Sequence, residues 1–492
     1  MRTSPVTSAR KNILVFLTDD HGQWASRIYG NPELHTPTMD WIGETGACFE
    51  NAFTPCPVCS PARASFWTGL IPSAHGIHDH IGNREHPGVD GFETLAMRLR
   101  ALGYRTGLCG KWHCHAHGDK PQPGFDYWFS QWGGTKAVAG EQPFSENGER
   151  RDLQGQQAPL ITDAALRFLR RDTGNIPTED QPFFLFVGFS DTHAPFATLP
   201  ERLVNHYRKA AFAAIPDETP AAHLPPRERG DYFGRMSEPE TAREALAQYY
   251  ASVSMIDEQM GRLIDELEGM GALEDTLIVY TGDHGHMNGH HGLVTKGNAS
   301  VPVNFYEESI RIPMLVRLPG EIAPGTRCPE PVDLCDLHST LRDLAGDPQT
   351  SPRLGSGRSL RQLWPVEAAN AEQAPPWRDF QCVEYGSARM IRDRVGHKLV
   401  RRRPCPHGAF PDEFYDLARD PRETENRIDD PACQNLIAEL DETLRKFHAT
   451  HADPAREGLR ATELPPPNAQ PAWEGRRAAR PESSPEPRSF PA

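Results

Sequence analysis

The chain has 492 residues, enough for a large core and a second, smaller unit, since single cores stop growing at roughly 250–300 residues. Hydrophobic residues make up 38% and charged residues 24%, and no apolar run approaches the roughly 20 residues that span a bilayer, which argues against an integral helical membrane protein. A net charge of −15 argues against a broad nucleic-acid surface, which needs clustered Lys and Arg; an anionic substrate would instead need a local basic pocket.

The opening "MRTSPVTSARKN" passes into a strand-like run without an apolar signal region, so a cytoplasmic protein is expected. Ten cysteines are scattered through the chain, which favours reduced thiols over a disulfide framework. The first apolar run, "NILVFLT" (12–18), predicts a buried strand and delivers Asp19 and Asp20 at its end. Next comes "PCPVCSPARASFWTG" (55–69). Ser60 suits a helix N-cap and Pro61 the first helical position, predicting a helix from Pro61 to Thr68 with Cys59 just before its N-terminus. Such a position favours anions and lowers a thiol pKa. Cys56 and Cys59 also form a Cys-x-x-Cys pair, a redox dithiol or half of a zinc site that would recruit Cys109 and Cys114.

A helix is predicted over 92–103, closed by Gly103, and a strand over 104–109. The strand leads into "GKWHCH", where an extended segment would point Lys111 and His113 the same way. The Trp-rich "FDYWFSQWGG" (125–134) reads either as core or as an apolar or cation-binding pocket wall. Stretches 137–160 and 197–240 lack periodicity and read as surface excursions around a pocket. "FFLFVGF" (183–189) is a further strand, followed by His193. A long helix is predicted over 244–271, then a strand "TLIVYT" (276–281) ending in Asp283 and His284, then Lys296, then a strand "IPMLVRL" (312–318). After 361–377 the texture changes to short strand-like pieces and a helix near 434–448.

This alternation predicts an α/β fold: a large, mostly parallel central sheet flanked by helices, with a smaller C-terminal α+β subdomain. The expected divisions are 1–375, 376–452 and a flexible or surface-strapping tail over 453–492. Ligands of open α/β sheets bind beyond the carboxyl ends of strands, and there the acids and cations gather. Asp after a strand is also an ordinary turn or cap residue. The repeated "strand, Thr, acid" pattern instead suggests that Asp19, Asp20, Asp283 and His284 converge on a divalent cation. Lys111, His113, His193 and Lys296 would supply cations and proton donors for an anionic substrate.

These residues resemble a known family. Cys59-Ser60-Pro61-Ala62-Arg63 followed by Thr68-Gly69 is similar to the signature of type I sulfatases of the alkaline-phosphatase-like superfamily. The initial Asp pair, "GKWH", "THAPF", "GDHGH", "HGLVTKG", "FYEESIRIP" and "FYDLARDPRETEN" extend the resemblance over residues 11–430. It implies that Cys59 is oxidised to formylglycine by a formylglycine-generating enzyme. It also implies that Asp19, Asp20, Asp283, His284 and residue 59 hold one divalent metal, and that Arg63 orients residue 59. Lys111, His113, His193 and Lys296 would bind sulfate or protonate the leaving oxygen. One hydroxyl of the hydrated aldehyde would attack sulfur, and deprotonation of the other would release sulfate. Ala62 replaces the Ser often found in the signature, and His284 stands where many sulfatases have Asn. Calcium is the expected ion, with manganese and magnesium as alternatives, because imidazole suits transition metals better than an amide. The same departure resembles the phosphonate monoester hydrolase and phosphodiesterase branch, which is the alternative to a sulfate ester hydrolase. A non-catalytic anion- or metal-binding protein on the same fold is the reading from another class. Neither nucleic acid nor membrane is expected as a partner; a homo-oligomer is left open, as is an aryl, alkyl, choline-like or sugar alcohol.

Overall fold

The computed structural model describes residues 10–133, 140–173, 181–196, 199–227, 239–347, 349–364, 377–403, 409–468 and 472–474. Its centre is β1 (Asn12–Thr18), whose Ile13 to Leu17 are fully buried. Leu14 and Phe16 enter one apolar cluster and Ile13, Val15 and Leu17 another, so both faces of the strand are covered and its sequence reads as an unbroken apolar run.

Ten strands form the main sheet. With β2 (Ala47–Phe53), β3 (Arg105–Gly110), β4 (Tyr127–Gln131), β5 (Glu141–Glu146), β6 (Glu149–Gln154), β7 (Phe183–Phe189), β8 (Thr276–Gly282), β9 (Met314–Arg317) and β10 (Thr326–Asp333), the order is β10-β2-β9-β8-β1-β7-β3-β4-β5-β6. The central run β8-β1-β7-β3-β4 is parallel, as is β10-β2. The sheet is nevertheless mixed: β9 runs antiparallel to both β8 and β2, and β5 and β6 extend the edge as an antiparallel hairpin. That hairpin corrects the reading of 137–160 as irregular. Residues 134–139 of that stretch and 228–238 of the second excursion lie outside the described residues.

Helices cover both faces. The helix α1 (Cys59–Thr68) places Phe66 and Trp67 in the cluster on one face. On the other, α2 (Pro239–Gly269) presents Tyr249, Val253, Ile256, Met260, Leu263 and Leu267, all buried, at alternating spacings of four and three. That is the stripe an amphipathic helix lays on a core. The Trp-rich stretch is core rather than pocket: Trp128 is buried, its ring 5.7 Å from that of Trp112, which is 5.1 Å from Trp67.

A second, four-stranded antiparallel sheet holds β11 (Phe380–Tyr385), β12 (Ala388–Asp393), β13 (His397–Arg401) and β14 (Glu413–Asp416) in sequential order. Ile437, Leu440 and Leu444 of α3 (Gln434–His451) pack on Ile391, Leu399 and Phe414. The expected boundary at 375 lies outside the described residues. Beyond 453, the described tail residues run along the large domain: Gly82 and Asn83 donate their N–H groups to the Pro467 carbonyl at 2.8 and 2.9 Å. Ala461, Ala472 and Trp473 share an apolar cluster with Cys56, Val58 and Cys59. No helix among the described residues is long and apolar enough to cross a membrane.

Candidate active site

Register aligns four strand ends. Thr18 of β1 lies opposite Phe189 of β7 and Gly282 of β8, and Gly110 of β3 lies opposite Gly188 of β7. The residues that follow, Asp19, Ser190 to His193, Asp283 and Lys111, therefore emerge on one edge. Gly110 makes this closeness possible. Its φ is +107°, and a Cβ there would sit 2.1 Å from the Gly188 carbonyl oxygen, which also accepts the Lys111 N–H at 2.9 Å. The segment after β3 is not extended throughout, contrary to the sequence expectation: His113 has φ 55°, in the left-handed region, with Lys111 buried and His113 half-buried.

Cys59 opens α1 and is only 3% exposed. The helix starts two residues earlier than predicted, with Val58 as its N-cap in extended conformation. Ser60 is inside the first turn, where its Oγ accepts the Ile81 N–H at 2.9 Å, and Pro61 is tolerated because the first turn has no intrahelical use for its missing N–H.

Around Cys59 the acids and cations interlock. His284 Nε2 lies 3.5 Å from Asp19 Oδ1, 3.5 Å from Asp20 Oδ1 and 3.3 Å from Asp283 Oδ1. Lys296 Nζ is 2.6 Å from Asp20 Oδ1, 3.2 Å from His284 Nε2 and 3.9 Å from Cys59 Sγ. Lys111 donates to Asp19 Oδ2. Arg63 Nε donates to Asp283 Oδ2 at 2.7 Å and its Nη1 to the Lys111 carbonyl at 2.8 Å. His193 Nε2 is 4.0 Å from Asp20 Oδ2, and its side chain, 30% exposed, lies on the open side. All ten residues singled out from the sequence thus gather at one place.

Titration follows from this crowding. Burial alone would raise the Asp19 carboxyl, yet Lys111 and Lys296 hold it well below the usual carboxylate range. Asp20 is lowered against its burial by Lys296 and His193. Asp283 is pushed up to about 6 by burial and by Asp19. Burial opposes a charge on His284, but Asp283 raises it to about 10. The Cys59 thiol would rise on burial, yet Lys296, His113 and Lys111 bring it well below its ordinary value. Cys56, by contrast, is raised well above its ordinary value by burial and by Glu384, and has no comparable cations.

The donors fit a divalent cation. Asp19 Oδ1 and Asp283 Oδ1 are buried without a hydrogen-bond partner among the described residues, and both face His284 Nε2. His284 Nδ1 lies 2.9 Å from the Gly285 carbonyl, which fixes that nitrogen as the N–H and leaves Nε2 for a ligand. Asp19, Cys59 and His284 place ligand atoms within 4.8 Å of one another, the group of this kind found among the described residues. Asp20 and Asp283 border that group through His284. The zinc set is not assembled, since Cys109 and Cys114 join no such group. Sequence reasoning missed His286, buried with its Nε2 3.6 Å from Asp20 Oδ2 and its ring stacked on Tyr249. The second histidine of "GDHGH" was its only signal.

A sulfatase family profile matches residues 11–347, and one for the C-terminal part of N-sulphoglucosamine sulphohydrolase matches residues 302–450. The chain belongs to the sulfatase family. It is 29% identical to choline-sulfatase of Rhizobium meliloti (strain 1021), over 91% of this chain and 88% of that protein. It is 27% identical to human N-sulphoglucosamine sulphohydrolase, over 93% and 94%. The fold is shared with a protein solved in complex with its substrate D-glucosamine-2-N,6-O-disulfate, at TM-score 0.72, 23% identity and coverage of 94% and 100%. It is shared too with the phosphonate monoester hydrolase of Agrobacterium radiobacter, at TM-score 0.68, 21% identity and coverage of 90% and 96%. As a sulfatase the chain is a sulfuric ester hydrolase, of a family that generally uses a metal ion and formylglycine.

Proposed function

We propose that this sulfatase hydrolyses a sulfate monoester with cleavage at sulfur, using residue 59 as nucleophile after oxidation of Cys59 to formylglycine by a separate maturation enzyme. The observation that carries the reading is the convergence of three cationic side chains (Arg63, Lys111 and Lys296), three carboxylates and His284 on a buried Cys59 at the start of α1. Asp19, Asp20, Asp283 and His284 would hold one divalent cation, calcium before manganese or magnesium, which when bound lowers the pKa of a hydroxyl on residue 59 and draws in a sulfate oxygen.

The chain's own residues perform the rest. Arg63, locked to Asp283 and to the Lys111 carbonyl, fixes the first turn of α1 and so the direction of attack. Lys111 and Lys296 neutralise the sulfate oxygens and the charge that develops on them. His193, on the open side and 4.0 Å from Asp20 Oδ2, protonates the departing alcohol. His113, in hydrogen-bonding reach of the Cys59 sulfur and lowered by burial, accepts the proton whose loss from residue 59 releases sulfate.

One observation favours a second reading. His284 supplies an imidazole at the metal cluster where many sulfatases have Asn, and the fold is also that of a phosphonate monoester hydrolase, so phosphonate or phosphodiester hydrolysis at the same nucleophile is the second reading. Steady-state rates on a matched aryl sulfate and phenyl phosphonate ester separate the two. A higher kcat/KM for the sulfate is expected, and a much higher value for the phosphonate would reverse the assignment.

A further inference from the structure

Asp79 and His80 lie outside the metal cluster but beside the nucleophile. The Ile81 N–H donates to Ser60 Oγ at 2.9 Å, which ties this loop to the residue after Cys59. Asp79 is fully buried, and its carboxylate is heavily committed. Oδ1 accepts from Tyr385 Oη at 2.7 Å and from the His80 N–H at 2.8 Å, while Oδ2 accepts from Asn468 Nδ2 at 3.1 Å and from the Ala472 N–H at 2.9 Å. Three parts of the chain therefore clamp one carboxylate: its own loop, the second sheet and the C-terminal strap.

The clamped carboxylate faces an imidazole. His80 Nδ1 is 3.2 Å from Asp79 Oδ1, and the side chain is 43% exposed. Its Nδ1 also lies 3.3 Å from Asn468 Nδ2, and among the described residues no hydrogen bond reaches its Nε2, which leaves that nitrogen open to a ligand. Burial opposes a charge on His80, but Asp79 outweighs it and raises the pKa, with Cys59 adding to and Lys296 opposing that effect from across the site. The deeper cations are already engaged: Lys111 with Asp19, Lys296 with Asp20, Arg63 with Asp283. Among the described residues the contacts of the His80 ring run from Nδ1 to Asp79 and Asn468.

We propose that His80 is a specificity-determining residue that reads a second anionic group, a carboxylate or a further sulfate, on the alcohol portion of the sulfate ester. The proposal rests on the sulfatase reading for the first anionic group. A charge-assisted hydrogen bond from Nε2 would orient a dianionic substrate with its ester sulfur over residue 59. Asp79 is a positioning residue for His80, and Asn468 and Ala472 position Asp79.

The test compares two non-hydrolysable probes, 4-sulfobenzoate and benzenesulfonate, by calorimetric titration of the full-length, metal-loaded protein. Wild type is expected to prefer the dianion, and His80→Ala to remove about tenfold or more of that preference, equivalent to a lost charged hydrogen bond. His80→Gln keeps the size and an N–H donor without charge, is benign to folding at this half-exposed place, and should lose the preference too. A wild type without the preference, including one that binds neither probe, or a preference that survives in either variant, overturns the proposal. Failure of the sulfatase reading shows separately, as absent turnover of any aryl sulfate by a protein whose probe preference is still measurable.

Discussion

At Arg63 a guanidinium with no exposed surface bridges a carboxylate on one strand end and a carbonyl on another. Lysine has one charged point where this geometry needs a fork, so Arg63→Lys leaves either Asp283 or the Lys111 carbonyl without its partner. We expect kcat/KM to fall by about 10²-fold or more, the scale seen when one preorganised donor is lost, while a soluble, folded protein is retained. His193→Ala should behave differently. A proton donor matters most for a poor leaving group, so the loss should be about 10²- to 10⁴-fold on an alkyl sulfate and much smaller on a nitrophenyl sulfate. Equal losses on the two esters would move the proton-donor role to another side chain. Residue-level chemistry at the strand ends was readable in advance because each acid or lysine follows an apolar run directly. The Asp79–His80 pair was not: its partners Tyr385, Asn468 and Ala472 lie some three to four hundred positions away, and no local pattern announces them.

At the scale of elements, β1 and β7 coincide with their predicted spans because burial on both faces writes an unbroken apolar run into the sequence. The hairpin of β5 and β6 escaped notice for the opposite reason. Nearly all of Glu149–Gln154 is exposed on a sheet edge, where polar and charged side chains replace the apolar signal. Likewise β10 carries Pro329 and Pro331, which a central strand would not tolerate but the sheet's edge does. The turn at Gly110 and the strap at Trp473 are the two places where an element controls the site. Gly110→Ala drives a methyl group onto the Gly188 carbonyl at a left-handed φ, so β3 and β7 must part. Lower melting temperature together with a loss of kcat/KM is expected, because Lys111 hangs from that turn; a change in stability alone would separate the turn from catalysis. Trp473 lies against Gly386, where a Cβ would meet its ring at 2.2 Å, and beside Cys56 and Cys59 in one cluster. Trp473→Ala should destabilise by about 3–5 kcal/mol, as for other buried aromatics, and release the strap. Calorimetric unfolding of the variant checks this.

For the molecule as a whole, the site concentrates charge that the fold must balance. Asp19, Asp20 and Asp283 are buried together, so a chelator that strips the proposed cation should abolish turnover and lower the melting temperature, with recovery on adding back the ion. Elsewhere the core holds neutral imidazoles. His75 and His338 are both lowered from 6.5 to about 3, chiefly by burial, and His338 Nδ1 lies 3.0 Å from the Phe66 carbonyl. Unfolding restores their ordinary values, so between about pH 3 and 6.5 the unfolded chain binds more protons and stability rises with pH. Each of these two groups therefore costs up to about 1.4 kcal/mol per pH unit below about 6.5, a loss opposed by the buried Asp191 and Asp257, whose carboxyls burial pushes up to about 7. Ring NMR shifts of His75 and His338 that stay those of neutral imidazole from pH 7 to 5 are expected, and titration of either ring near pH 6.5 would contradict their assignment as buried and neutral. Catalysis as proposed depends on residue 59, and the direct measurement is tandem mass spectrometry of the tryptic peptide ending at Arg63, from protein matured with a formylglycine-generating enzyme. The Cys59 thiol is expected to be replaced by an aldehyde, with Cys56 in the same peptide unchanged. An unmodified cysteine at 59 in protein that turns over sulfate esters would contradict it.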